Sequence, residues 1–572
     1  MYHQVYDPVS NSLGLTAIFA VLPIVTLFIL LGGLKMKAHW AALISLAVAL
    51  AVAIFVYPMP VGQAFDSAAE GAAFGLFPIM WIVVNAVWIY NMTTETGDFA
   101  VLRRSFGTIS SDERVQAVII AFSFGALLEA LAGFGTPVAI CSVMLVALGF
   151  KPIKAVAVAL VADTVPVAFG AIAIPITTLS QVSGLPKGDL ASMVGRQTPF
   201  LSLLVPLIIV AMVDGRRGIR QAWPVALVGG LSFAIGQFAT SNYISAELTD
   251  IVASLISVAS IVLMLRVWQP PHDEVPAETR QRRFARPAVA GASTYNPALE
   301  EDVRRRDLER AATPSPLDRD EPPQRDGRGA IVRAYSPYVI IIAVLGLAQL
   351  GPIKTALSHT IEQVQWPGLH VVNGKGKVPT SLTYKLDYLP AAGTLLLISG
   401  LLTIAALRIR PGIAVRSYLA TLNQLKWAIL TVATVLAIAY VMNLSGQTIT
   451  LGLWAAGAGG AFAFLSSWIG WLGVSITGSD TASNSLFGAL QVTAAKSANL
   501  NPTLMAAANS SGGVIGKMIS PQNLAIGVAA VGMSGEEGRL FRKVIGWSLL
   551  LVLLMAGLVY LQSTSLLSWM VP

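Results

Sequence analysis

Residues 129–140 read EALAGFGTPVAI, a stretch that sets a carboxylate, two glycines and a proline inside a segment otherwise apolar enough to cross a bilayer. From 115 to 150, Glu129 is the only charged residue. A carboxylate at the centre of a membrane helix costs roughly 2.5–3.5 kcal/mol on insertion scales, and such groups usually face the bundle interior and mark an ion or proton path. Gly133 and Gly135 permit non-helical dihedrals, and Pro137 suits a first helical turn. The spacing therefore predicts that one helix stops at Gly133 and another starts near Thr136. The new N-terminus would turn unpaired N–H groups and a positive dipole end toward an anion. The plainer alternative is a packing kink in which Glu129 is hydrogen-bonded as a neutral acid.

The flanks of this stretch decide the fold class. Of 572 residues, 55% are hydrophobic and only 12% charged, and the mean hydropathy is +0.69. Crossing ~30 Å of hydrocarbon takes about 20 helical residues, and uncharged runs of that length occupy 14–34, 38–57, 71–92, 390–407 and 544–569. The run 427–479 holds no charged residue at all. Lipid offers backbone groups no partners, so such runs must be helices, and the alternating segments of a barrel are absent from the sequence. The expectation is an all-α polytopic integral membrane protein of about 12–14 transmembrane helices. The first apolar run follows MYHQVYDPVSNS, which has no basic n-region, and no small-residue cleavage site succeeds it, so it reads as a retained helix. One cysteine, Cys141, rules out an intramolecular disulfide and a cysteine-based metal site, and five scattered histidines give metal chemistry no support. No cofactor and no nucleic-acid partner is expected.

Three domains follow from the charge distribution: a first transmembrane repeat over 1–266, a charged linker over 267–334 and a second repeat over 335–572. The linker carries 12 basic and 12 acidic residues, so the chain's formal +8 belongs to the membrane part. Its composition predicts a solvated, disordered connection. Lys35 and Lys37, then Arg103, Arg104 and Arg114, then Arg216, Arg217 and Arg220, then Arg408, Arg410 and Arg416 flank apolar runs and place those loops in the cytoplasm. Asp66 with Glu70, the segment 241–250 and the loop 352–388 fall on the other side. Both termini are then outside and the linker inside. Segments 115–150 and 476–533 can be full crossings or re-entrant hairpins.

The same punctuation occurs twice. A shift of 345 residues places Gly133 on Gly478 and Thr136 on Thr481, and a shift of 346 places Asp163 on Asn509, Thr164 on Ser510, Gly170 on Gly516 and Pro175 on Pro521. Inverted repeats with interrupted helices are a transporter architecture whose site lies where the breaks meet. In the first half, LVADTVPVAFGAIAIPITTLSQ (160–181) adds Asp163, which either carries a proton or caps a broken helix. In the second half, SITGSDTASNSLFGALQ (475–491) gathers Thr477, Ser479, Asp480, Thr481, Asn484 and neighbouring hydroxyls, and AAANSSGGVIGKMISPQNLAIG (506–527) adds Asn509, Ser510, Ser511 and Lys517. Such side chains can simply glue helices together. As clusters at two breaks they predict a substrate site of Gly133, Gly135, Thr136, Thr477, Ser479, Thr481, Asn484, Asn509, Ser510, Ser511 and Lys517. Lys517 could pair with a substrate carboxylate, pair with Asp480, or snorkel toward the surface. Glu129, Asp163 and Asp480 are the candidates for proton coupling.

These blocks, EALAGFGTPVAI, ADTVPVAFGAIAIP, TGSDTASNSLFGALQ and NSSGGVIGKMISPQNLAIG, resemble in order and spacing the signature blocks of the bacterial L-lactate permease family, which includes glycolate permeases. The resemblance covers about 1–265 and 335–570 and leaves the charged insert unplaced. It implies uptake of L-lactate, and often D-lactate and glycolate, with a proton across the cell membrane. The residues alone imply only an anion-suited transport site, which a sodium- or proton-coupled carrier of a dicarboxylate or of sulfate would share. An intramembrane enzyme would need an activated nucleophile or a metal, and no paired histidines, HExxH or suitably placed GxSxG occur. Oligomeric state is not legible.

Overall fold

The computed structural model describes all residues except 35, 108, 111, 134, 272–326, 375, 377, 380, 381 and 534, and the side chains except also those of 103, 104, 106, 107 and 385. Most of the expected linker lies outside the described residues. Its last stretch, 328–334, is the beginning of the helix Arg328–Ala348.

Among the described residues, ten helices are long and apolar enough to cross a membrane, or eleven if the bent pair Pro152–Ala162 and Val167–Ser183, which meet at 65°, makes one span. The fold is all-α and polytopic, as the composition requires. The helix Lys187–Tyr243 has 57 residues, too long for one pass, and non-helical dihedrals at Asp214 and Gly215 fold it back on itself. Thr198 Oγ1 donates to Gln237 Oε1 at 3.0 Å and Arg196 Nε to Asn242 Oδ1 at 2.9 Å, which ties the two limbs side by side. The only strands among the described residues are short pairs: Tyr2–His3 beside Val371–Val372, parallel, and Glu362–Gln365 beside Thr383–Leu386, antiparallel.

The bundle has two ends that can be told apart by their contacts. At one, Tyr2 Oη donates to the carbonyls of Tyr57 (2.7 Å) and Ser445 (2.8 Å), and Asn443 Nδ2 donates to the Val182 carbonyl. At the other, Arg114 joins Asp112 (2.7 Å) and Asp214 (3.3 Å), and Arg333 joins Asp98 (3.1 Å). The N-terminus therefore lies at the same end as the 352–388 loop, and both ends of the undescribed 272–326 lie at the other. Glu70, expected near a surface loop, is instead fully buried on the helix Val61–Phe74, because Gly71 lets that helix press onto Leu436 and Ala437.

A hairpin followed by a broken helix occurs in each half. The first hairpin runs Glu113–Leu131, turns, and returns as Thr136–Ala147. It opens at the Arg114 end. The second runs Phe462–Thr477, turns at Gly478 and Ser479, and returns as Asp480–Ser497. Its open side lies beside Gln447–Ala455 at the Ser445 end. The first broken helix is Pro152–Ala162 then Gly170–Ser183, and the second is Pro502–Gly516 then Pro521–Ala530. The two turn glycines match in conformation, with φ +56° at Gly133 and +74° at Gly478. The 346-residue pairing does not: Asp163 sits at a break, whereas Asn509 is inside a helix, and Gly170 follows its break while Gly516 precedes the other. Pro152 and Pro502, which open the first limbs, are the matching positions. Small residues make the second-half contact close: a Cβ on Gly512 would stand 2.7 Å from the Ser467 Cα.

Candidate functional site

The hairpin turns and the breaks come together around a cavity of about 50 Å³ lined by Glu129, Gly133, Gly170, Ser479, Asp480, Thr481, Lys517, Gln522 and Asn523, among others. A water needs ~10–15 Å³ on this measure, so the space suits a few heavy atoms and not a large ligand. Each polar group arrives from a chain interruption. Glu129 is on the last turn before the first hairpin bends, and Lys517 opens the break between Pro502–Gly516 and Pro521–Ala530. Ser479 caps the helix Asp480–Ser497 and Ser520 caps Pro521–Ala530, each accepting from a backbone N–H. Two helix N-termini, with their unpaired amides and positive dipole ends, thus border the cavity.

Lys517 is the centre of the charge arrangement. Its Nζ donates to Glu129 Oε1 at 2.6 Å and forms an ion pair with Asp163 Oδ2 at 3.0 Å, with all three side chains buried. The ammonium pairs with the two first-half carboxylates and not with Asp480, and it does not snorkel. The Asp163 side chain caps no helix. It stands at the C-terminal end of Pro152–Ala162, the end that a negative charge disfavours, so its favourable partner is the cation. Glu129 Oε2 and Asp163 Oδ1 have no hydrogen-bond partner.

Asp480 lines the cavity and opens a second network that runs behind its wall. Its Oδ2 accepts from Ser510 Oγ (2.6 Å) and Asn484 Nδ2 (3.2 Å), and Asn484 Oδ1 accepts from Asn509 Nδ2 (2.9 Å). Gln491 continues the chain to Asn509 Oδ1 at 3.1 Å. Asp480 Oδ1 is left without a partner. Asn484, Asn509 and Ser510 therefore hold Asp480 and do not line the cavity. The Ser511 hydroxyl is buried and unpartnered, outside the cavity wall.

Gly135, with φ +79°, lets the first turn approach Ile526 and the Asn523 carboxamide, and Thr136 begins the next helix there. Thr477 faces a neighbouring larger chamber, whose wall also includes Ser479 and Thr481. The sequence reading did not assign Gln522 and Asn523, although both lie in the quoted block 506–527, a few residues after Lys517. Nor did it find the backbone of Ala171, Ile172 and Ala173, three successive non-glycine residues with φ between +42° and +60°. Ala171 lines the cavity. Left-handed backbone at non-glycine residues is strained and concentrates at functional sites. Among the described residues no group of three or more His, Cys, Asp or Glu side chains could hold a metal ion.

A family described as L-lactate permease matches residues 16–566. The chain is 42% identical to the glycolate permease GlcA of Escherichia coli (strain K12), with 98% of each chain covered. It is 41% identical to the L-lactate permease of Bacillus subtilis (strain 168), over 100% of this chain and 99% of that one. It is 40% identical to the L-lactate permease of Salmonella typhimurium (strain LT2) over the full length of both.

Proposed function

The chain belongs to the L-lactate permease family, and from that premise we propose that it is a secondary active transporter that carries L-lactate, D-lactate and glycolate together with a proton across the cell membrane. It is a multi-pass membrane protein for a small-molecule substrate. The reading of its mechanism rests above all on one observation, the buried contact of Lys517 with both Glu129 and Asp163 at the junction of two broken elements.

Charge balance supplies the mechanism. One ammonium facing two carboxylates leaves a surplus negative charge in a buried place, where an unpaired charge is costly. A single proton shared by Glu129 and Asp163 removes the surplus. Lys517 and the N-termini at Asp480 and Pro521 then favour one substrate carboxylate, while Ser479, Thr481, Gln522 and Asn523 can meet its 2-hydroxyl. Loss of the proton restores the surplus and expels the anion. Proton and substrate are thereby coupled through one lysine, without catalysis of any covalent step. Asp480 is the remaining candidate for the proton.

The two hairpins open at opposite ends of the bundle and the broken helices run in opposite senses, which supports reading 1–266 and 335–572 as inverted repeats. The basic loops at 37, 216–220 and 408–416 favour the Arg114 end as cytoplasmic, with both termini and the 352–388 loop outside.

Uptake of labelled L-lactate into proteoliposomes with an imposed inside-alkaline pH gradient tests this reading, with glycolate, acetate, succinate and sulfate as competitors. Accumulation that glycolate blocks and that vanishes when the gradient collapses is the expected result. Accumulation driven by sodium instead, or uptake of succinate or sulfate without lactate, would overturn the coupling or the substrate respectively.

A further inference from the structure

Beside the small cavity lies a larger chamber, about 250 Å³, and the two share a wall made of Ser479, Thr481 and Gln522. Its other walls come from the spans Leu13–Gly33 and Ala38–Phe55, at Leu27, Leu31, Ala38 and His39, and from the helix Pro411–Ser445 between Trp427 and Leu436. We propose that this chamber is a second binding site for the transported 2-hydroxy monocarboxylate, a vestibule on the basic-loop side, gated from the inner cavity by the turn Thr477–Thr481. The proposal deepens the transport reading and rests on it.

Three features carry it. First, a ligand held in a cavity of about 50 Å³ between buried helices has to leave through one of its walls, and the shared one opens onto space several times larger. That wall is a chain turn, not a continuous helix. Gly478 sits in it at φ +74°, between the helices ending at Thr477 and starting at Asp480, so a hinge there disturbs only helix-end bonds such as that from the Gly478 N–H to the Val474 carbonyl. Secondly, the lining is apolar apart from the hydroxyls of Thr431, Thr477, Ser479, Thr481 and Ser485, the Gln522 carboxamide and His39. Thr431, Thr477 and Ser485 donate to carbonyls of their own helices, so Ser479, Thr481, Gln522 and His39 remain to meet a ligand with one small apolar end and several hydrogen-bonding oxygens.

Thirdly, the outer rim is aromatic and basic. His39 stacks on Trp427 with ring centroids 4.3 Å apart and planes 18° from parallel. Lys426 Nζ lies 5.8 Å from the centre of the Trp427 ring, and Lys37 immediately precedes the lining residues Ala38 and His39. A cationic rim raises the local concentration of an anion. A lipid acyl chain, the other occupant suited to an apolar chamber, has no use for the row of hydroxyls or for the lysines.

Two single cysteines in a Cys141→Ala background test the assignment: Ala428→Cys on the wall away from the inner cavity and Ala482→Cys on the shared side. A membrane-impermeant thiol reagent is applied to right-side-out and to inside-out vesicles, and labelled lactate uptake is measured in the same preparations. Both cysteines should react only from the basic-loop side. L-lactate at twice its dissociation constant should slow labelling at both positions about threefold, by the factor 1 + [L]/Kd. Vesicles that transport lactate but show no protection at Ala428→Cys, or labelling from the opposite side, or no labelling at all, overturn the vestibule and leave the transport reading standing. Uptake of another anion in place of lactate, with that anion protecting, overturns the substrate and keeps the vestibule. Val432→Cys replaces either variant if it fails to insert.

Discussion

The Lys517 ammonium stands 2.6 Å from Glu129 Oε1, across 388 positions of sequence, and so fastens the second broken helix to the turn of the first hairpin. Asp163 completes the arrangement at 3.0 Å. Removing one member of such a buried pair typically costs about 3–5 kcal/mol, because the remaining charge is left uncompensated. Lys517→Met should therefore lower the thermal unfolding temperature of the purified protein and abolish uptake. Glu129→Gln, which leaves Asp163 to balance the lysine, should lower it far less while still abolishing gradient-driven accumulation. A Lys517→Met protein as heat-stable as the parent would show that the three side chains do not depend on one another.

Glu129 was legible in the sequence because a lone carboxylate in an apolar run has few structural excuses, and the glycines after it marked a turn. The clusters around Ser479 and Lys517 stood out for the same reason. The partner of Lys517 was not legible: the ammonium could reach any carboxylate at similar depth, and only the packing of the broken helices selects Glu129 and Asp163. The likeness of the two turns was legible at Gly133 and Gly478, where positive φ selects glycine, but the pairing along the broken helices slipped, because alanine, glycine and serine there allow several registers. Ala171, Ile172 and Ala173 gave no sign at all, since alanine and isoleucine ordinarily avoid positive φ.

The two hairpin turns should be intolerant of a single methyl group. A Cβ on Gly478 would meet Gln522 Oε1 at 2.8 Å and one on Gly135 would meet Ile526 Cδ1 at 2.7 Å, and both positions have positive φ. The backbone alone adds about 1–2 kcal/mol for a non-glycine residue there. Gly478→Ala and Gly135→Ala should each reduce the initial rate of lactate uptake at least tenfold, about the 1.4 kcal/mol that a factor of ten represents. Gly14→Ala, on a helix with open space around it, should leave the rate unchanged.

Asp480 distinguishes between positioning the second turn and carrying the proton. Its Oδ2 is held by Ser510 and Asn484, and the helix it opens provides one of the N-termini at the cavity. If the proton resides on the Lys517 partners, Asp480→Asn should raise the KM for lactate while the steady-state accumulation ratio at a fixed pH gradient stays the same. Ser510→Ala, which removes one hydrogen bond, should do the same more mildly. Loss of accumulation in Asp480→Asn with lactate exchange intact would move the proton to Asp480.

Acid stability should depend on an ion pair at the ends of the spanning helices. Glu247, in the connection between Tyr243 and Thr249, lies 2.6 Å from Lys187 Nζ and its Oε2 accepts from Ser245 Oγ at 2.5 Å. Burial acts to raise the Glu247 carboxyl, but the Lys187 charge and these hydrogen bonds outweigh it and bring the group down from 4.5 to about 2. A carboxyl lowered on folding binds its proton less tightly in the native state than in the unfolded one. Its stabilising contribution is therefore complete above pH 4.5, declines as the pH falls from there toward about 2, and is gone below. Glu247 is 17% exposed and Lys187 32%, so solvent screens part of the attraction. Glu247→Gln should lower the unfolding temperature at pH 7 and flatten its fall between pH 4.5 and 2, as read by scanning fluorimetry in detergent. An acid limb unchanged by the substitution would assign the pH dependence to other carboxylates.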